Sequence, residues 1–179
     1  EPEITTPVNT APEQKELVIP PPLFNIDNSQ TLKISQISEV PFLLSQSLGV
    51  QTPLDSVNRI LFEDTINTEI LGLKKLFDSF NITPPDGFYN KLANDPTFFI
   101  YSQEKGNRLG LVVKINDQEG LADMMTTWEG TMEGNFQGLF ELLGKNEPAM
   151  VSYFKNAQYQ ETTFRYQTFN REDLGIVYA

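Results

Sequence analysis

Two short motifs place a lysine three residues after a serine, Ser102 with Lys105 and Ser152 with Lys155. In penicillin-binding enzymes this spacing sets a nucleophilic serine and a lysine one helical turn apart on a shared face. Here both matches fall in segments that read as strands, where positions i and i+3 point to opposite faces. The companion Ser-Asp-Asn and Lys-Thr-Gly elements are absent. Adjacent carboxylates at Glu63-Asp64 and Glu172-Asp173 are the other reactive groups in view. Glycosidase chemistry needs paired acids within about 5 to 9.5 Å, and neighbours along a strand diverge. The spacing therefore predicts a solvated acidic surface with capping aspartates. A carboxylate-based hydrolase would need two distant acids converging in a cleft, one with a raised pKa.

The 179 residues include no histidine and no cysteine. This removes the side chain that titrates near neutral pH, and with it thiolate nucleophiles, iron–sulfur and zinc–thiolate sites, and disulfides. No calcium-binding Asp-x-Asp-x-Asp-Gly loop, phosphate loop, dinucleotide fingerprint or Gly-x-Ser-x-Gly elbow occurs. The sequence predicts no catalytic residue, no cofactor and no metal site. The net charge of −11 repels a phosphate backbone, and the thirteen Lys and Arg residues are scattered, with Lys74 and Lys75 the one adjacent pair. Nucleic acid is not an expected partner. No run of eighteen apolar residues is present, so any membrane attachment would come through an upstream anchor absent from this chain. The chain begins at Glu1, as a processed product or an excised piece would.

Residues 1–22 form a Pro-rich acidic segment holding Pro2, Pro7, Pro12, Pro20, Pro21 and Pro22, half of the chain's twelve prolines. Such a stretch favours polyproline II and spans about 3.1 Å per residue, which suits a spacer between an anchor and a domain. Residues 23–179 read as a single α+β domain. Strands are predicted over Thr31–Ile37 and Val57–Asp64, with a helix over Glu39–Leu48 capped by Ser38 and a second over Leu71–Phe80. Asp86 reads as the cap of a one- or two-turn helix through Leu92. A hairpin follows, Thr97–Glu104 and Arg108–Asn116 around Lys105-Gly106-Asn107. The unbroken apolar runs Phe98–Tyr101 and Leu111–Val113 predict that both strands are central and covered.

The clearest periodicity runs from Leu121 through Met125, Trp128, Met132, Phe136 and Phe140 to Leu143. It predicts one long amphipathic helix, or two nearly collinear ones, over Gln118–Leu143, capped by Asp117. Gly130, Gly134 and Gly138 fall on its polar face, which reads as tolerated weak helix more readily than as a backbone contact. Seven acids against Lys145 between Asp117 and Glu147 place much of the negative charge here. Strands resume over Ala149–Gln158, Thr162–Asn170 and Leu174–Ala179. Two strands, a long helix and further strands predict a mainly antiparallel sheet with helices on one face. The last strand stops inside the apolar run Gly175–Ala179, which predicts truncation at the C-terminal end and a missing partner strand. The strand aromatics, among them Phe164 and Tyr166, read as core, with a glycan-stacking platform as the alternative.

Several motif runs resemble uncharacterised membrane-anchored envelope proteins of small-genome bacteria. They are Pro84-Pro85-Asp86-Gly87-Phe88-Tyr89, Lys91–Asp95, Phe98–Tyr101, Gly106–Gly110, Val151–Lys155 and Phe164–Phe169, spread over Leu23–Ala179. The resemblance implies a membrane helix upstream, a Pro-rich spacer and an extracytoplasmic α+β region. It implies no activity and transfers no functional residue. The expectation is a non-enzymatic, tethered envelope domain with a structural or protein-interaction role, reaching a protein partner through an exposed sheet edge. A binding module for a glycan or small hydrophobic ligand is the alternative.

Overall fold

A computed structural model describes residues 15–144, 153–169 and 175–179. The fold is α+β, with a mixed five-stranded sheet, a three-stranded antiparallel sheet and four α-helices among the described residues.

The first sheet is ordered β1 (Asn28–Ile34), β2 (Val57–Asp64), β4 (Thr97–Gln103), β5 (Gly106–Val112), with the two-residue β3 (Glu69–Ile70) also on β2. β1 runs parallel to β2, whereas β2–β4 and β4–β5 are antiparallel. A parallel pair needs a crossover, and α1 (Val40–Leu48) supplies it, with Val40 and Leu44 fully buried. Ser38 does not cap α1. Instead Glu39 turns back on Ser35, whose Oγ donates to the carboxylate at 2.7 Å and whose N–H donates at 3.1 Å. Those bonds leave the chain in a short 3-10 turn at Ile37–Glu39 before the helix begins.

β4 is central, as its apolar run predicts, but β5 is not covered. β5 pairs with β4 alone among the described residues, and Val112 is 39% exposed. The hairpin turn is also shorter than expected, because Gln103 pairs with Gly106 around Glu104 and Lys105. Gly106 makes this possible at φ 111°, a region open to glycine.

Inward residues of the first sheet, including Ile34, Ile60, Phe62, Phe98 and Ile100, meet α2 (Leu73–Ser79), α3 (Leu121–Asn135) and α4 (Gln137–Leu142) in one apolar core. Its centre is aromatic. The Trp128 ring lies 5.3 Å from Phe88, 6.5 Å from Phe77 and 5.6 Å from Phe136, each contact contributing about 0.5–1.5 kcal/mol beyond burial. The long helical stripe holds, but as two helices with Phe136 between them. Asp117 is not the cap of α3. Its carboxylate accepts the Glu119 N–H at 3.0 Å, and Gly120, left-handed at φ 68°, leads into the helix. The Asp86 cap fails similarly, since Gly87 at φ 82° precedes a 3-10 turn over Phe88–Lys91. Gly130 and Gly134 face open space, whereas Gly138 meets the Phe80 carbonyl, where an added Cβ would sit 3.1 Å away.

The second sheet is ordered β6 (Lys155–Tyr159), β7 (Thr162–Thr168), β8 (Gly175–Tyr178), antiparallel throughout. One face carries Arg165, Ile176 and Tyr178 against the helices, and the other carries Ala157, Phe164, Tyr166 and Val177. The predicted strand start at Ala149–Ser152 and the turn at 170–173 lie outside the described residues.

Candidate functional site

The register places every other residue of the first sheet on an outer face, away from the helices. Arg59, Phe99 and Gly110 form one row across it, and Val57, Tyr101 and Arg108 the next. The outer face of the second sheet carries Phe164 and Tyr166. Between the β4–β5 hairpin and that face lies an open groove of about 640 Å³, within the size range of ligand clefts.

Its floor is Ala157, Phe164, Tyr166 and Val177, and its opposite wall is Gln103, Lys105 and Arg108. The two floor rings lie 6.1 Å apart and are half-buried. Arg108 makes only long contacts to the carbonyls of Gly106 and Asn107, at 3.5 and 3.3 Å, and pairs with no carboxylate among the described residues. The groove thus joins apolar rings to a guanidinium that is available to an acid. A guanidinium recognises carboxylates by a planar two-point fork.

The second sheet is fastened by a polar network on its inner face. Arg165 holds Glu129 on α3 through Nε and Nη2, the latter at 2.6 Å, and the Tyr178 hydroxyl donates to the same carboxylate at 2.6 Å. Arg165 first, then the Tyr178 hydroxyl, holds the Glu129 carboxyl below its usual range, while burial opposes them. Tyr178 is pushed up to about 12, chiefly by burial.

A buried cation lies on the outer face of β2. Arg59 is 2% exposed, its Nη1 donates to the Pro20 carbonyl at 2.8 Å, and its Nε and Nη2 have no partner. Burial pushes its pKa down. The chain from Pro20 to Asp27 crosses this face. Leu23 N–H donates to Thr97 Oγ1 at 2.9 Å, Phe24 sets its edge on Phe99 with centroids 5.1 Å apart, and Val57 N–H donates to Asp27 at 2.6 Å.

The reactive-looking motifs separate. Ser102 is 3% exposed with its hydroxyl against Thr52, while Lys105 sits in the exposed turn. Ser152 lies outside the described residues, as do Glu172 and Asp173. Lys33 lies 4.0 Å from Glu63, and Asp64 closes a turn by accepting the N–H groups of Ile66 and Asn67 at 3.0 Å. Hydrogen bonds to Asn67 hold Asp64 low. Asp117 is likewise held low, by Lys91 first. A general acid requires the opposite displacement. Among the described residues no group of three or more acids is placed to hold a metal ion, and no helix is long and apolar enough to cross a membrane.

Sequence reasoning passed over Arg108 and Arg59. No local motif marks Arg108, whose partners across the groove, Phe164, Tyr166 and Val177, lie more than fifty residues away. Arg59 did carry a signal, a single cation inside the strand run Val57–Phe62. No protein-family model, curated protein or solved structure matches this chain.

Proposed function

We propose that this chain is the non-enzymatic, extracytoplasmic recognition domain of a tethered cell-envelope protein, and that it acts by binding another protein. The observation that carries this reading is the open groove, lined in part by β5 and β8, the last strands of their sheets among the described residues. Exposed sheet edges are templates for another strand. The Pro-rich segment supports the tether, because a spacer of that composition holds a domain away from its anchor.

Cell fractionation with protease treatment of intact cells tests the reading in the natural host. The protein is expected in the membrane fraction and to be degraded from outside. Recovery in the cytosol, protected from protease, overturns it.

A second reading has its own support. Phe164 and Tyr166, neighbours on the groove floor, offer the stacking surface that a glycan or small hydrophobic ligand requires. Titration with neutral oligosaccharides, followed by aromatic proton shifts, distinguishes it. Shifts confined to those rings and abolished by Phe164→Ala favour the glycan, and unshifted rings remove it.

A further inference from the structure

The outer face of the first sheet is crossed by the chain's own N-terminal segment, residues 15–27. Lys15 Nζ donates to the Asn67 carbonyl at 3.1 Å, just past the end of β2, and Asp27 N–H donates to the Val57 carbonyl at 3.0 Å, at its start. The segment therefore runs back along the whole of β2 as a strap, kept extended by Pro20-Pro21-Pro22. Arg59, Leu61 and Thr97 are buried although they lie on the face turned away from the helices. Between its ends the strap meets the sheet at the Pro20 carbonyl on Arg59, the Leu23 N–H on Thr97 and the Phe24 ring on Phe99. Val18 and Ile19 stay exposed.

The fit is incomplete at one place. Arg59 gives Nη1 to Pro20, and its Nε and Nη2 have no partner among the described residues. Those two atoms form the edge of a guanidinium that grips a carboxylate by two parallel bonds, and Arg165 holds Glu129 through the same pair. Acids outnumber bases 24 to 13 in this chain, yet none of the described acids pairs with Arg59. A buried guanidinium with an empty edge is costly, and an arriving carboxylate removes that cost. We infer that the outer face of the first sheet is a peptide-binding site which the strap fills in cis, and that the partner displacing the strap is an extended protein segment bringing a carboxylate to Arg59.

The occupant follows from what the face already holds. An extended chain with a carbonyl at Arg59, an N–H at Thr97 and a ring on Phe99 fits it, since the strap supplies all three. A second copy's strap would repeat those contacts and leave the same edge empty. A free small acid finds Arg59 2% exposed, with the strap in the way. The fitting partner is rich in proline, carries an aromatic residue four positions after the one whose carbonyl meets Arg59, and has a Glu or Asp close to that carbonyl. The strap sets the threshold, because a tethered competitor stands at an effective concentration of about millimolar. This face shares no residue with the groove, so the site goes beyond that reading.

The test uses the isotope-labelled full chain and an unlabelled, blocked peptide with the strap sequence Leu17–Asp27. Three further peptides carry Ile19→Glu, Pro21→Glu or Pro22→Glu. Displacement of the strap is read by NMR as faster exchange of the protein's Leu23 amide, and occupation of the edge as a shift of the Arg59 Nε–H signal. At least one acidic peptide is expected to displace the strap at about a tenth of the concentration that the unaltered peptide needs, and to shift Nε–H. Arg59→Lys, which keeps the charge without the fork, is expected to cut that advantage at least about fivefold, and Arg59→Met to abolish it. The Nε–H signal of the unsubstituted protein keeps the test decisive should either variant fail to fold. Equal competition by all four peptides overturns the inference, as does an advantage that survives in both variants. A Nε–H shift with millimolar acetate alone, at unchanged Leu23 exchange, overturns it in favour of a small-ion site under an undisturbed strap. Leu23 exchange that varies with protein concentration, without peptide, overturns it in favour of a second copy. These readouts are independent of cellular location, so failure here leaves the tethered-domain reading to be judged by fractionation.

Discussion

Arg165 on β7 and Glu129 on α3 form a two-point ion pair, with the Tyr178 hydroxyl of β8 closing on the same carboxylate. Two of the three strands of the second sheet are thereby fixed to one helical position. Both partners are largely covered, at 28% and 12% side-chain exposure. The outer face of the second sheet is thus carried by strands held from behind through β7 and β8.

Breaking that pair from one side should cost more than its attraction is worth, because the partner remains as a covered, uncompensated charge. Arg165→Met and Glu129→Leu are each expected to lower unfolding stability, Glu129→Leu more because it also leaves the Tyr178 hydroxyl without its acceptor. The double variant should lose less than the sum, giving a coupling of at least ~1 kcal/mol. Urea unfolding of the four proteins measures it. Additive losses would remove the pair from any role in docking the sheet.

The same network predicts pH limits on both sides. Glu129 is held below 4.5 in the folded state, so the folded chain binds that proton less tightly than the unfolded chain. Its contribution is complete above about 4.5 and is lost as pH falls through the lower, folded value. Tyr178 and Tyr89 are pushed from 10 up to about 12, mainly by burial, with Glu129 and Asp78 as the respective second causes. Their contribution is complete below 10 and is lost between 10 and about 12. Unfolding free energies over a pH series should show both limbs, with Glu129→Gln flattening the acid limb and Tyr178→Phe the alkaline one.

The strands that the sequence marks most clearly are those whose apolar runs are bounded by turn residues. Val57–Asp64 has the predicted limits, and Leu73, Leu76, Phe77 and Phe80 share a buried face as their spacing requires. Periodicity reports which way a side chain points but not which strand lies alongside. The Leu111–Val113 run therefore reads as central while β5 ends its sheet, and the parallel pairing of β1 with β2 has no local signal. Caps fail for a similar reason. Ser38 and Asp117 have the right side chains, but Ser38 falls inside a 3-10 turn and a left-handed Gly120 separates Asp117 from its helix. The groove is the least legible feature, since Arg108 and Phe164 meet only through the packing of two sheets on one core.

Arg59 should be dispensable for stability although it is buried. Its guanidinium has one acceptor, the Pro20 carbonyl, and two nitrogens without partners. A buried charge so poorly matched costs more in desolvation than one hydrogen bond returns. Arg59→Met is expected to leave the fold unchanged or raise its stability by up to ~2 kcal/mol. The hold on the N-terminal segment should weaken, seen as faster amide exchange at Leu23 and faster proteolysis near Pro20–Phe24. A loss of more than about 2 kcal/mol would mean that the guanidinium is matched by groups beyond the Pro20 carbonyl.

Phe99 and Gly110 provide the sharpest packing test, because they are opposite each other on β4 and β5 and the ring lies where a side chain at 110 would stand. An aromatic laid over a cross-strand glycine covers exposed backbone and fixes register. Here the ring also receives the edge of Phe24, so one position governs both the hairpin and the segment that crosses the sheet. Gly110→Ala should displace the ring, costing about 1–3 kcal/mol and loosening Phe24. Phe99→Val removes the clash at the expense of the ring's cover. The double variant should be closer in stability to Phe99→Val than additivity predicts, with a coupling of at least ~1 kcal/mol. Thermal unfolding of all four proteins reads the coupling, and exchange at Leu23 reads the loosening. If Gly110→Ala is neutral on both, the ring is not confined by the glycine.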